Sequence, residues 1–195
     1  MTEAERPPPG PSDPTPYRGA ISWAHGPPEG QEVPSTVVAR AVQVTLAHGG
    51  GGALVVDVVF VSKEALASMH GQFLGDPGET DVITFDLRDD DDPSPVDGRR
   101  ADPEPEEEDL AGAELGPRPI EAGGELYVSV DRALEASRER GVAFERELVL
   151  YVVHGTLHLC GFDDHGPADR EAMRAAERAV MGRLGYPEDL APHDA

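Results

Sequence analysis

Two stretches of this 195-residue chain carry too little apolar surface to fold, and they bound what the rest can become. Residues 1–34 hold nine of the 19 prolines, and residues 88–122 hold six more with 13 acidic and four basic side chains, a local net charge of −9. Runs such as DDDD and PEPEEED repel themselves, and little in either stretch offsets the entropy of ordering. The first therefore reads as a disordered or loosely attached N-terminal arm and the second as an acidic disordered insert. One domain, over 35–87 and 123–186, is expected to fold.

The chain has 16 basic and 38 acidic side chains, a formal charge of −22, which favours solubility and weighs against an open basic surface for phosphate contacts. The longest apolar candidate, 53–61, is nine residues interrupted by Asp57, whereas a membrane span needs about 20. No transmembrane helix is expected. The first residues, MTEAERPPPGPSDP, lack the basic start and apolar stretch of a secretory signal. A lone cysteine, Cys160, has no intramolecular disulfide partner, so a reducing cytoplasmic location is expected.

Within the foldable part, 35–48 reads as a helix closed by the glycine run 49–52, which is a turn and not a phosphate cradle because no Gly-Lys-Ser or Gly-Lys-Thr follows. The β-branched run 54–61 has strand length, and Ser62 suits the N-cap of a short helix to about residue 71. Strands are expected at 81–87 and 124–130, with a fourth available at 20–24. The spacing then turns helical: 131–140 with Asp131 as cap and Gly141 as stop, 144–160, and 167–184 ending at Gly185. In the last of these, Met173, Ala176, Val180 and Leu184 form the expected buried stripe. Elements mixed in this way imply an α+β fold, a small mixed sheet with helices mainly on one side.

Residues 148–165 read LVLYVVHGTLHLCGFDDH. On a helix His154 and His158 lie one turn apart on one face, near enough to share a metal ion, and Gly161 permits a turn that returns Asp163, Asp164 and His165 toward that face. Two histidines and one further donor, with a fourth position left to water, is the composition of a catalytic zinc site. The alternative is a pair of core histidines satisfied by backbone carbonyls. Cys160, two residues past His158, points elsewhere and reads as a small core residue.

The stretch HGTLHLCGFDDH resembles the HGxLHLxGYDH signature of the YbeY family of bacterial rRNA maturation factors, described as single-strand-specific, zinc-dependent endoribonucleases. FLGDPGETDVITFDL (73–87) is similar to that family's YRxxDxPTDVLSFP segment, and GELYVSV (124–130) to its GDIVIS strand. The resemblance implies a zincin-like metal helix, one Zn²⁺ held by His154, His158 and a third ligand, and an RNA substrate, small-subunit rRNA or ribosomal particles. The family's third histidine stands six residues after the second. Here that place is Asp164, with His165 one further on as the alternative ligand. Leu74 occupies the place of the family's arginine, so that residue's role does not carry over. Thr80, Asp81 and Thr84, in the matching block, are candidates for the substrate cleft.

Two other readings use the same residues. A zinc peptidase would place a glutamate general base after the first histidine, where this chain has Gly155. A non-catalytic ribosome-assembly factor would hold the metal for structure alone.

Overall fold

The computed structural model describes residues 17–51, 54–75, 78, 80–88 and 123–186. Most of the expected acidic insert, and residues 1–16 of the expected arm, lie outside them. From Tyr17 onward the arm's described part packs on the fold: the Tyr17 hydroxyl shares its one hydrogen between the carbonyls of Val56 (2.8 Å) and Ala20 (3.0 Å), and Val33 is buried in the main core.

Four strands form one mixed sheet in the order β1-β2-β4-β3. Strands β1 (Ile21–Trp23), β2 (Val56–Val61) and β4 (Gly124–Ser129) run parallel, and β3 (Val82–Asp86) pairs antiparallel with β4 on the edge. The optional strand near residue 20 is thus real. Trp23 stacks on Phe60 of β2, with ring centroids 4.0 Å apart.

Alternation assigns the two faces of the sheet. Val56, Val58 and Phe60 of β2 and Leu126 and Val128 of β4 point into the main core, under α1 (Ser35–Gly49), α3 (Val130–Arg140), α4 (Phe144–Leu159) and α5 (Pro167–Leu184). The opposite face carries a smaller cluster, Val61, Leu66, Ile83 and Phe85, covered by α2 (Lys63–Leu74). The α+β architecture with helices mainly on one side is what the sequence pattern implied. Helix α4 is apolar almost all round, and a helix of that kind is stable only when enclosed. It lies between the sheet and the other helices, with Leu148, Val152, Leu157 and Leu159 fully buried.

Three local expectations are corrected. Asp131 does not cap α3. The cap is Ser129, whose hydroxyl accepts the amide of Arg132 (3.2 Å), while Asp131 accepts the amide of Lys63 (2.8 Å) at the start of α2. Helix α2 runs on to Leu74 and stops at Gly75, whose φ of +69° suits glycine. On α5, Leu184 is only half-buried, and the buried face instead includes Glu177 and Met181.

Candidate metal centre

Helix α4 ends in a way that bears directly on the site. Its C-terminus is a Schellman motif: Gly161 (φ +88°) donates its amide to the His158 carbonyl at 2.9 Å, and Phe162 donates to the Leu157 carbonyl at 3.1 Å. The chain therefore reverses over the last turn of the helix. That reversal brings the Phe162 carbonyl to 3.0 Å from Nδ1 of His158, and it carries Asp164 back to the imidazoles.

The Nε2 atoms of His154 and His158 lie 3.1 Å apart, and an oxygen of Asp164 lies 3.8 Å from Nε2 of His154. One donor atom from each of the three falls within 4.8 Å of the others. His165, the alternative ligand, is turned to Asp163, with which its Nδ1 hydrogen bonds, and its side chain is 42% exposed. Asp163, Asp164 and His165 form a second, more exposed group within the same distance limit. The structure thus gathers Asp164, and not His165, with both imidazoles.

The donor chemistry suits a cation. A carbonyl oxygen can only accept, so His158 donates through Nδ1 and its Nε2 keeps a bare lone pair. His154 meets the Glu177 carboxylate through Nδ1 at 2.7 Å, which leaves its Nε2 in the same state. Two lone pairs facing each other at 3.1 Å require a positive species between them, a shared proton or a metal ion. Two nitrogens on a tetrahedral Zn²⁺ stand about 3.3 Å apart at ordinary bond lengths, close to the separation seen. Burial, then the neighbouring His154 ring, hold the His158 imidazole below its ordinary range, which keeps it neutral and ready to ligate.

Glu177 was not foreseen from sequence. It sits four residues after Met173 and three before Val180, inside the stripe of α5 that faces the core, and only 6% of it is exposed. A carboxylate on a buried helical stripe is the signal that would have found it, since a buried charge needs a partner. Arg170 of α5, also unforeseen, donates to the main-chain carbonyls of Asp164 (3.0 Å) and His165 (2.7 Å).

The cleft candidates separate. Thr84 is buried on β3 against α4, its hydroxyl 3.4 Å from the Gly155 carbonyl, one residue from His154. Thr80 bonds to the Val82 carbonyl (3.1 Å). Asp81 accepts from Arg132 of α3 (3.2 Å) and so ties the start of β3 to that helix. Cys160 is half-buried at the end of α4, facing the glycines that close α1: a Cβ on Gly49 would fall 2.6 Å from its sulfur. Among the described residues no helix is long and apolar enough to cross a membrane.

Residues 31–185 match the family model described as Endoribonuclease YbeY. Proteins named endoribonuclease YbeY are similar over most of the chain. That of Desulfitobacterium hafniense is 35% identical over 130 residues, 67% of this chain and 71% of its own length. That of Roseiflexus castenholzii is 34% identical over 155 residues, 78% of this chain and 85% of its own. That of Salinibacter ruber is 30% identical over 171 residues, covering 88% and 96%.

Proposed function

The chain belongs to the YbeY family of endoribonucleases, and from that premise we propose that it is a zinc-dependent, single-strand-specific endoribonuclease of rRNA maturation with His154, His158 and Asp164 as its metal ligands. The observation that carries this reading is the convergence of three donors from one helix turn and the bend after it. When bound, a divalent ion supplies Lewis acidity toward water and toward a phosphoryl oxygen. The protein's own groups prepare for it. Glu177 and the Phe162 carbonyl hold the two imidazoles in the tautomer that presents Nε2, and Asp164 adds the one formal negative charge among the three ligands.

Substrate RNA is polyanionic and this chain is strongly acidic, so a bound divalent ion would add to the local positive charge that Arg170 and Arg132 bring to the neighbourhood of the site. Thr84, against Gly155 on the α4 side of β3, is proposed for the cleft wall, with Thr80 beyond it. Asp81 is proposed to shape that wall through Arg132. Small-subunit rRNA or ribosomal particles in the cytoplasm are the proposed partners.

The test is single-turnover cleavage of a structured small-subunit rRNA fragment by wild type and His158→Ala, before and after chelation. Loss of a ligand is expected to slow cleavage by about 100-fold or more, since loss of even an outer partner costs about 10- to 100-fold. Chelation should abolish cleavage and added Zn²⁺ restore it. Equal cleavage by wild type and His158→Ala would remove the catalytic role and leave an assembly factor with a structural metal.

A further inference from the structure

Helix α5 reaches the candidate metal centre at two points. Arg170 and Glu177 stand seven residues apart, two turns along one face, and that face looks onto the end of α4 and the bend beyond it. Glu177 holds Nδ1 of His154, while Nη1 of Arg170 donates to the carbonyls of Asp164 and His165. We infer that Arg170 is a positioning residue for the third ligand, fixing the Asp164 carboxylate in place before any ion binds. This rests on the ligand assignment proposed above and adds to it the residue that sets the ligand's geometry.

The reasoning starts from the backbone. The Schellman motif orders the chain as far as Phe162, and α5 begins at Pro167. Asp164 therefore sits in a connection with no helical or strand ladder of its own, where its side-chain direction must be set by other contacts. Two contacts do so from opposite sides of one peptide group. The amide of His165 donates to Oδ1 of Asp163 at 3.3 Å, and the carbonyl of Asp164 in the same peptide accepts from Arg170. The amide of Asp164 also donates to Oδ1 of Asp163, at 2.7 Å. Clamping that peptide on both edges restricts ψ of Asp164, and with it the direction of the Cα–Cβ bond that carries the carboxylate.

A guanidinium suits the task because one Nη carries two hydrogens in a fixed plane, one for each carbonyl. The same helix thus holds one histidine ligand through its ring and the carboxylate ligand through its backbone. A displacement of α5 would disturb two of the three donors together.

Zn²⁺ affinity, measured by competition with a chromophoric chelator, tests this in wild type, Arg170→Met, Arg170→Lys, Asp164→Asn and the Arg170→Met/Asp164→Asn double variant. The visible spectrum of the Co²⁺-loaded proteins reports coordination geometry alongside it. Arg170→Met is expected to weaken Zn²⁺ binding by about 10- to 100-fold and to change the Co²⁺ band intensity. Arg170→Lys, which keeps donors within reach of the carbonyls, should recover part of the loss. The double variant should bind no more weakly than Asp164→Asn alone, because positioning a group that no longer ligates has no effect. An equal penalty from Arg170→Met in both backgrounds, or none in either, would overturn the inference. Should Arg170→Met fail to fold, Arg170→Gln takes its place in the same cycle, with the same expected non-additivity. If Asp164→Asn binds Zn²⁺ as tightly as wild type, the ligand assignment itself fails and the inference with it. If Asp164→Asn weakens binding and the Arg170 variants do not, only the inference falls.

Discussion

Gly155 shows how much one missing side chain can decide. A Cβ at this position would fall 2.9 Å from Oγ1 of Thr84 and Cδ2 of Leu126, and 3.0 Å from Cγ2 of Val82, so side chains of β3 and β4 would have to shift to admit one. With glycine at 155 the chain lacks the general base that the peptidase arrangement places after the first histidine, and the close neighbours disfavour any larger residue there. Gly155→Ala is expected to destabilise the fold by about 1–3 kcal/mol through overpacking, read from the urea midpoint. An unchanged midpoint would mean that β3 gives way freely. The histidine pair was legible at this scale because a spacing of four on a helix fixes direction without tertiary information. The choice between Asp164 and His165 was not, because it turns on which residue the bend after Gly161 delivers to the imidazoles. Glu177 and Arg170 were invisible for a related reason: their partners lie 23 residues away in one case and on main-chain carbonyls in the other.

At the level of elements, α4 carries both histidines of the candidate metal centre and a buried ion-pair cluster. The Glu147 side chain is fully buried and takes ion pairs from Arg140, at 2.6 Å, and from Arg146. Removing one member leaves buried charge without compensation, so Glu147→Ala is expected to cost about 3–5 kcal/mol in denaturant unfolding. A loss below 1 kcal/mol would show that water reaches the two guanidinium groups. Strand β3 is tied to the end of the same helix by Arg88, which pairs with Asp86 and donates to the Leu159 carbonyl at 3.0 Å. Hydrogen bonds from Arg88 hold the Asp86 carboxyl below its ordinary value of 3.8, so the folded state resists its protonation. The stability this contributes is present above pH 3.8 and is lost as pH falls from there through the lower folded-state value. Asp86→Asn should therefore flatten the pH dependence of stability below pH 3.8, measured by thermal melts across pH 2–5. A variant with the wild-type slope would contradict the pairing. Helix limits were readable at the glycine stops Gly141, Gly161 and Gly185, which all adopt positive φ, whereas the stop of α2 at Gly75 was missed because the helix was expected to end near residue 71. The start of α3 was less so, because both Ser129 and Asp131 are good caps, and only the nearness of Lys63 at the head of α2 draws Asp131 away.

Across the whole molecule, the long acidic connection leaves and returns at neighbouring points. Asp86 of β3 pairs with Gly124 of β4, and the Leu87 amide reaches the Gly123 carbonyl at 3.4 Å. Deleting residues 89–120 therefore asks no strand to move. The closure entropy of the shorter loop favours the folded state by up to about 2 kcal/mol, so the melting temperature should stay level or rise by a few degrees. A large drop would show that the deleted segment packs against the domain. What the amino-acid order determined alone was local and periodic: most of the strand and helix runs, and two imidazoles on one helical face. Those features follow from neighbours within a turn or two of the chain, where backbone geometry leaves little choice. Tertiary structure alone decided that the edge strand runs antiparallel, that Asp164 and not His165 faces the histidines, and that α5 supports the site with Glu177 and Arg170. Each of these joins groups whose separation is set by packing, and packing depends on every element at once.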